Sequence, residues 1–288
     1  MRQRWWLLSA WTVLSLLLFI KPVIALVRLS LSQEDASHIV IIPFLSAAVL
    51  YLDRHKIFPL ASMDKTLGGL SLLLAACLSL AIRFGTASSP PGLQLSGWVL
   101  ALVLTWEAGF ALLFGKRAWK AATFPLLFLL LMVPIPNFAL DRIIALLQEG
   151  SALITGAFFD LAGVPALREG LVFHLTRVNI EVAKECSGIR SSMALLILAL
   201  LVAHFRLSNL WYKILFVTVG FFMMIVKNGI RIATLTLLAV YVDPGFLFGR
   251  LHRQGGIVFF LLALLLLLPL LILLERAESK LRVLPKVS

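Results

Sequence analysis

Apolar runs recur along almost the whole chain, at 7–20, 39–52, 67–82, 95–114, 121–133, 187–205, 210–226 and 255–274, separated by short segments rich in Lys and Arg. No single water-soluble core can hide that much hydrocarbon, because a globule of this size must still cover itself with polar surface. With 61% of its 288 residues apolar, only 14% charged and a mean hydropathy of +1.00, the chain reads as an all-α polytopic membrane protein of about eight transmembrane helices. The second and third runs are short for a crossing and are expected to tilt. Soluble enzymes, coiled coils and disordered chains are excluded on the same ground.

The 26 Lys and Arg against 14 Asp and Glu leave a net charge of +12, which in a soluble protein would point to nucleic acid. In a membrane protein the same excess marks cytoplasmic loops and their attraction to anionic headgroups. Membrane lipids, and no nucleic acid, are therefore the expected partners. An inside N-terminus puts Arg54, Lys56, Lys65, Lys116, Arg117 and the basic tail from Arg276 onward in short inside segments. This predicts an N-in, C-in multi-pass protein of the cell (inner, cytoplasmic) membrane. No small-residue cleavage site follows the 7–20 run, which reads as an uncleaved first span and not as a secretory signal. Two cysteines make no disulfide framework. Cys77 lies inside an apolar run and reads as an inert packing residue.

The longest stretch between spans, 134–185, is then expected outside. Pro134-Ile135-Pro136 stops a helix, since proline lacks the donor and its predecessor resists the helical region. Asp141, Gln148 and Thr155 repeat every seven residues along 143–161. That narrow polar stripe predicts an extracytoplasmic amphipathic helix, lying in the interface or lining a wet cavity. Gly163-Val164-Pro165 ends it. Leu171, Phe173, Leu175 and then Val178, Ile180, Val182 alternate with polar neighbours, which predicts a small β-hairpin. The segments 143–161 and 232–242 are left as interfacial or half-spanning helices.

Chemistry gathers where these pieces meet the membrane. Cys186-Ser187-Gly188 opens an apolar helix, where free N–H groups and the positive end of the helix dipole favour a thiolate. The alternative is a small packing cysteine. Lys227-Asn228-Gly229-Ile230-Arg231 closes the 210–226 run, and ionisable groups at membrane depth are functional suspects. They read alternatively as cations snorkelling to headgroups. Lys227 and Arg231 stand four residues apart on one helical face and repel unless an anion, such as a developing oxyanion or a substrate carboxylate, sits between them. His252 precedes the last run. Provided 232–242 does not cross, Cys186, Arg231 and His252 share the outer face, with His38 and His174 as rivals there and His55 and His204 inside. No Cys, His, Asp or Glu set has metal-ligand spacing, and no phosphate loop or hydrolase elbow is present. Neither a metal nor a cofactor is expected. The residues alone point to an outward-facing membrane thiol enzyme, or else to a transporter or polysaccharide-assembly factor. Glu107 is the only acid deep within a span, which favours a site at one interface over a pathway.

Several short motifs carry a resemblance. They are Val133-Pro134-Ile135-Pro136, Leu147-Gln148 with Ser151, Gly163-Val164-Pro165, Glu169-Gly170, Val182-Ala183-Lys184-Glu185-Cys186-Ser187-Gly188-Ile189-Arg190, Asn228 with Arg231, and His252 with Gly256 and Phe260. In that order the chain resembles the exosortase/archaeosortase family of membrane transpeptidases. It departs from the family pattern at Glu185 and at Lys227. The resemblance implies N-terminal transmembrane helices in 1–133 and a catalytic membrane region in 134–288. It implies a Cys186, Arg231, His252 site, with Asn228 and Arg190 in support; Arg190 reads alternatively as a snorkelling arginine. The implied substrates are secreted proteins ending in a sorting tail of the PEP-CTERM kind: a short motif, one transmembrane helix and a basic cluster. Cleavage near the motif through a cysteine thioester, and transfer to an envelope acceptor, would complete the reaction.

Overall fold

The computed structural model describes residues 2–85, 90–176, 178–183, 189–247 and 256–283. Among these, seven helices are long and apolar enough to cross a membrane, and a bent pair at the N-terminus can make an eighth. With one small antiparallel sheet beside them, this is an all-α polytopic membrane fold. The chain divides into two units, Met1–Leu140 and Asp141–Ser288.

In the first unit, α1 (Arg2–Leu18) and α2 (Ile20–Ser32) meet at an 80° bend. The short helices α3 (Ile42–Leu52) and α4 (Arg54–Ile57) lead to α5 (Lys65–Gly85). The long α6 (Pro91–Ala121) runs through the centre of the unit, and α7 (Thr123–Leu129) follows it. Two indoles brace α1 on α6: Trp11 Nε1 donates to Thr105 O at 3.1 Å and Trp106 Nε1 to Thr12 Oγ1 at 2.8 Å. Phe58, Phe110 and Phe114 fill the core between them. Gly115 breaks α6 at φ 77°, ψ 177°, a left-handed conformation that a side chain there would strain. Cys77 does not pack inside; it is exposed on α5, where a thiol is apolar enough to face lipid.

The 121–133 run is shorter than the other apolar runs and packs back along α6, from Leu126 against Phe110 and Phe114 to Pro134, whose O accepts from Ser96 Oγ at 2.7 Å. It forms α7 and one 3₁₀ turn, Leu130–Met132, and Val133 then turns extended at ψ 119° ahead of Pro134. The proline's steric demand on its predecessor ends the helix there.

The second unit opens with α8 (Asn137–Leu161), whose 25 residues pass the length and hydropathy test for a span. α8 turns the stripe expected in the interface or along a wet cavity partly toward protein. Its buried face is Ile144, Leu147, Ser151, Ala152, Thr155 and Phe159, so hydroxyls point inward. Phe138, Leu146, Leu153 and Leu161 are exposed on the other side. Asp141, Arg142, Glu149 and Asp160 are exposed as well, so the outward side is charged as much as apolar. Gly163, at φ 66°, closes α8 as the sequence predicts. Val164 N donates to Phe159 O at 2.9 Å and Gly163 N to Asp160 O at 3.1 Å, the paired bonds of a Schellman cap.

The predicted hairpin is there, with a strand more. β1 (Ala166–Glu169), β2 (Val172–Leu175) and β3 (Asn179–Glu181) form an antiparallel sheet in that order, pairing Glu169 with Val172 and His174 with Asn179. Gly170, at φ 61°, makes the tight first turn. Phe173, Leu175 and Val182 bury against Phe159 and Ile232. The remaining helices are α9 (Ile189–Arg206), α10 (Leu210–Tyr241) and α11 (Gly256–Val283). The 210–226 and 232–242 segments are one unbroken helix of 32 residues, about 48 Å long at 1.5 Å per residue. Nothing between them breaks a helix, and the polar residues of the junction find partners inside.

The far end of this bundle is tied by carboxylates. Glu278 accepts from the backbone N–H of Ser208 at 3.0 Å and of Asn209 at 2.6 Å. Asn209 in turn caps α10 through Trp211 N at 2.8 Å, and Glu275 takes Arg206 Nε at 2.6 Å and Nη2 at 3.2 Å. Glu278 is buried, so Glu278→Ala should leave two donors unmet and cost about 1–3 kcal/mol. Unfolding of the detergent-solubilised protein should show that loss, and Glu278→Gln, which keeps one acceptor, should lose less.

Candidate functional site

Two apolar clusters of the second unit lie either side of a polar layer. One joins Leu147, Leu195, Ala199, Met224 and Ala263; the other joins Ala152, Phe159, Phe173, Val182, Ile232 and Ala233. Between them α8 and α10 are cross-bonded. Asn228 Nδ2 donates to Ser151 Oγ at 3.0 Å. Thr155 Oγ1 donates to Ser151 O at 2.8 Å and lies 3.3 Å from Gly229 O. Gln148, one turn before Ser151, donates through Nε2 to Val182 O at 2.6 Å. Three polar side chains of one α8 face are thereby engaged by α10 and by the chain leaving β3.

Gly229 is what lets the two helices approach so closely. A Cβ there would fall 2.5 Å from Ile154 Cγ2 and 3.1 Å from Ser151 O. Both distances are shorter than ordinary van der Waals contact, and one neighbour is backbone that cannot rotate away. The residue is chosen for proximity, since its φ is helical.

Asn228 and Lys227 are almost fully buried, at 2% and 3% exposure. Arg231, one turn further on, is half-buried, and Arg190 is exposed in the first turn of α9. The snorkelling reading of Lys227 therefore fails. Its Nζ turns inward and donates to Ser191 Oγ in the first turn of α9, because a donor at that depth is satisfied better by a hydroxyl of the neighbouring helix than by a distant headgroup. Of the residues read from the sequence, Asn228 and Arg231 share the inward side of α10. Arg190 stands one residue from the serine that Lys227 holds. Cys186 and His252 lie outside the described residues. The rival His174 sits half-buried in the sheet, its Nε2 3.5 Å from Glu169 Oε2. His204 meets Phe205 edge to face near the far end of α9. Among the described residues no group of three or more His, Cys, Asp or Glu could hold a metal ion.

Sequence reading missed Ser191 altogether and took Thr155 for part of a solvent-facing stripe. The spacing 148, 151, 155 was the available signal, since those positions lie on one side of a helix.

Residues 29–269 match the model of the transmembrane exosortases of the EpsH type. The chain belongs to the transmembrane exosortase family. It is thus a multi-pass membrane protein of exosortase-type sorting. No curated protein and no solved structure matches it. The match spans the polar layer and both segments that carry Cys186 and His252.

The tight seam makes a prediction. In an open helix Gly→Ala would gain about 1 kcal/mol from helix propensity. At Gly229 the clash with Ile154 and Ser151 should outweigh this by forcing the helices apart, for a net loss of about 1–3 kcal/mol. Thermal unfolding of Gly229→Ala should show that loss, and Gly69→Ala, where an added Cβ meets nothing within 4 Å, should show none.

Proposed function

We propose that this family member is a membrane cysteine transpeptidase or protease. It cleaves the C-terminal sorting tail of secreted proteins and passes the new C-terminus to an envelope acceptor. Cys186 is the nucleophile, Arg231 the oxyanion or thiolate partner and His252 the general base and acid. Residues 134–288 form the catalytic region and 1–133 its N-terminal membrane helices.

The observation that carries this reading is the polar layer itself. Asn228 and Arg231 stand on the inward side of α10, and the same layer holds Val182 and Ser191, which lie four residues before and five after Cys186 in sequence. Chain alternation supports a common side. With α9, α10 and α11 crossing in turn, the start of α9 and the end of α10 emerge on one face of the membrane, and the sheet packs there against Ile232 of α10. That face is the outside for an N-in, C-in chain.

In the reaction, the Cys186 thiolate attacks the scissile carbonyl and Arg231 neutralises the tetrahedral oxyanion, a role commonly worth about 3 kcal/mol. The C–N bond breaks as His252 gives a proton to the leaving amine, leaving a thioester on Sγ. His252 then takes a proton from the acceptor nucleophile, whose attack frees the thiol. A substrate tethered by its own membrane helix meets the site in two dimensions, so proximity supplies part of the rate. Polar residues gathered in one layer suit a site better than the pathway a transporter needs.

Processing of a co-expressed tail-bearing reporter tests the assignment. Cys186→Ala and His252→Ala should abolish it. Arg231→Met should slow it about 100- to 1000-fold, and Arg231→Lys should recover only part of this, because an ammonium does not reproduce the guanidinium's paired donors. Processing that survives Cys186→Ala would move the chemistry to another residue.

A further inference from the structure

Two hydrogen bonds of the polar layer act on the same stretch of chain from opposite ends. Gln148, on α8, holds Val182 O at 2.6 Å, and Val182 is fully buried. Lys227, on α10, holds Ser191 Oγ. Cys186 lies between those two points in sequence, four residues after Val182 and five before Ser191. The two holding helices are themselves joined by the Asn228–Ser151 and Thr155–Gly229 bonds, so the two anchors cannot drift independently.

Lysine is a costly residue for this purpose. Its head group is 3% exposed and, among the described residues, meets a hydroxyl and no carboxylate. A buried cation without an anion is a net burden on the fold, and methionine would fill the same space without one. A role in folding alone does not account for Lys227.

We propose that Gln148 and Lys227 are positioning residues of this enzyme, fixing from two helices the two ends of the segment that carries Cys186. The proposal rests on the reading of Cys186 as nucleophile. Neither residue touches the reacting atoms; each acts through the backbone or side chain it holds. Misplacing a reacting group by about 1 Å is enough to cost roughly a hundredfold in rate.

The test uses the full-length protein in proteoliposomes and a tail-bearing reporter. Lys227→Met and Gln148→Met should each lower kcat about a hundredfold and leave KM within about twofold, because only positioning at the reacting centre is lost. Lys227→Met should unfold at the wild-type temperature or above it, since a buried charge has gone. Ser191→Ala should lose as much as Lys227→Met, and the double variant no more than the worse single, as for two halves of one bond. Wild-type kcat in Lys227→Met, a fall in kcat that follows a fall in unfolding temperature, or single losses that multiply would each overturn the proposal. Amide hydrogen exchange separates this from failure of the nucleophile assignment. Should Cys186→Ala still process the reporter, that assignment falls, and the anchors stand only if Lys227→Met speeds exchange in the first turn of α9 and leaves α11 unchanged.

Discussion

In hydrocarbon there is no water to satisfy a polar side chain, so every buried donor must find its partner within the protein. The seam between α8 and α10 is organised by that constraint. Ser151, Thr155 and Asn228 bond across it, Gly229 lets the helices come close enough to do so, and Gln148 and Lys227 extend the same layer to β3 and to α9. Side-chain bonds between membrane helices average only about 0.6 kcal/mol each. Four of them therefore contribute less than the packing of Leu147, Leu195 and Met224 below or Phe159, Phe173 and Ile232 above. Their effect is on register: a shift along either helix would strand several polar groups at once.

The division of labour follows. Apolar clusters supply the cohesion of the second unit, and the polar layer fixes which residues of α10 face inward. Asn228 and Arg231 inherit their orientation from the packing of Gly229 and Ile232 beside them. At the opposite end of the bundle, Glu278 and Glu275 close the turn between α9 and α10 with charge-assisted bonds. One end is thus tied by carboxylates; at the other, Lys227 and Arg231 stand one turn apart on α10.

How much of this the sequence discloses depends on whether local chemistry or tertiary partners decide an element. Gly163 ends α8 because only glycine takes its left-handed conformation without strain, and that is legible from Gly163-Val164-Pro165 alone. Alternation at Leu171–Val182 discloses two strands but not β1, whose Leu167 and Glu169 both face outward and carry little pattern. The polar stripe of α8 is legible as a stripe; its direction is not, because a stripe facing water and one facing another helix read alike. Lys227 shows the same ambiguity, snorkelling or buried, and only Ser191 on a neighbouring helix resolves it. Asn228 and Arg231 stand out as polar residues at membrane depth. Ser151 and Thr155, which bond to Asn228 and to Gly229 O, enter the linear reading only as part of a motif and of a stripe, with no partner assigned.

The account turns on one covalent event, the acylation of Cys186. Rapid quenching of the wild-type protein with a tail-bearing substrate, followed by mass spectrometry of the peptide containing Cys186, reads it directly. A hydroxylamine-labile adduct on Cys186, with the mass of the substrate up to the cleavage point, is the predicted result. Substrate consumed with Cys186 unmodified at every quench time, or an adduct on another residue, would contradict the account.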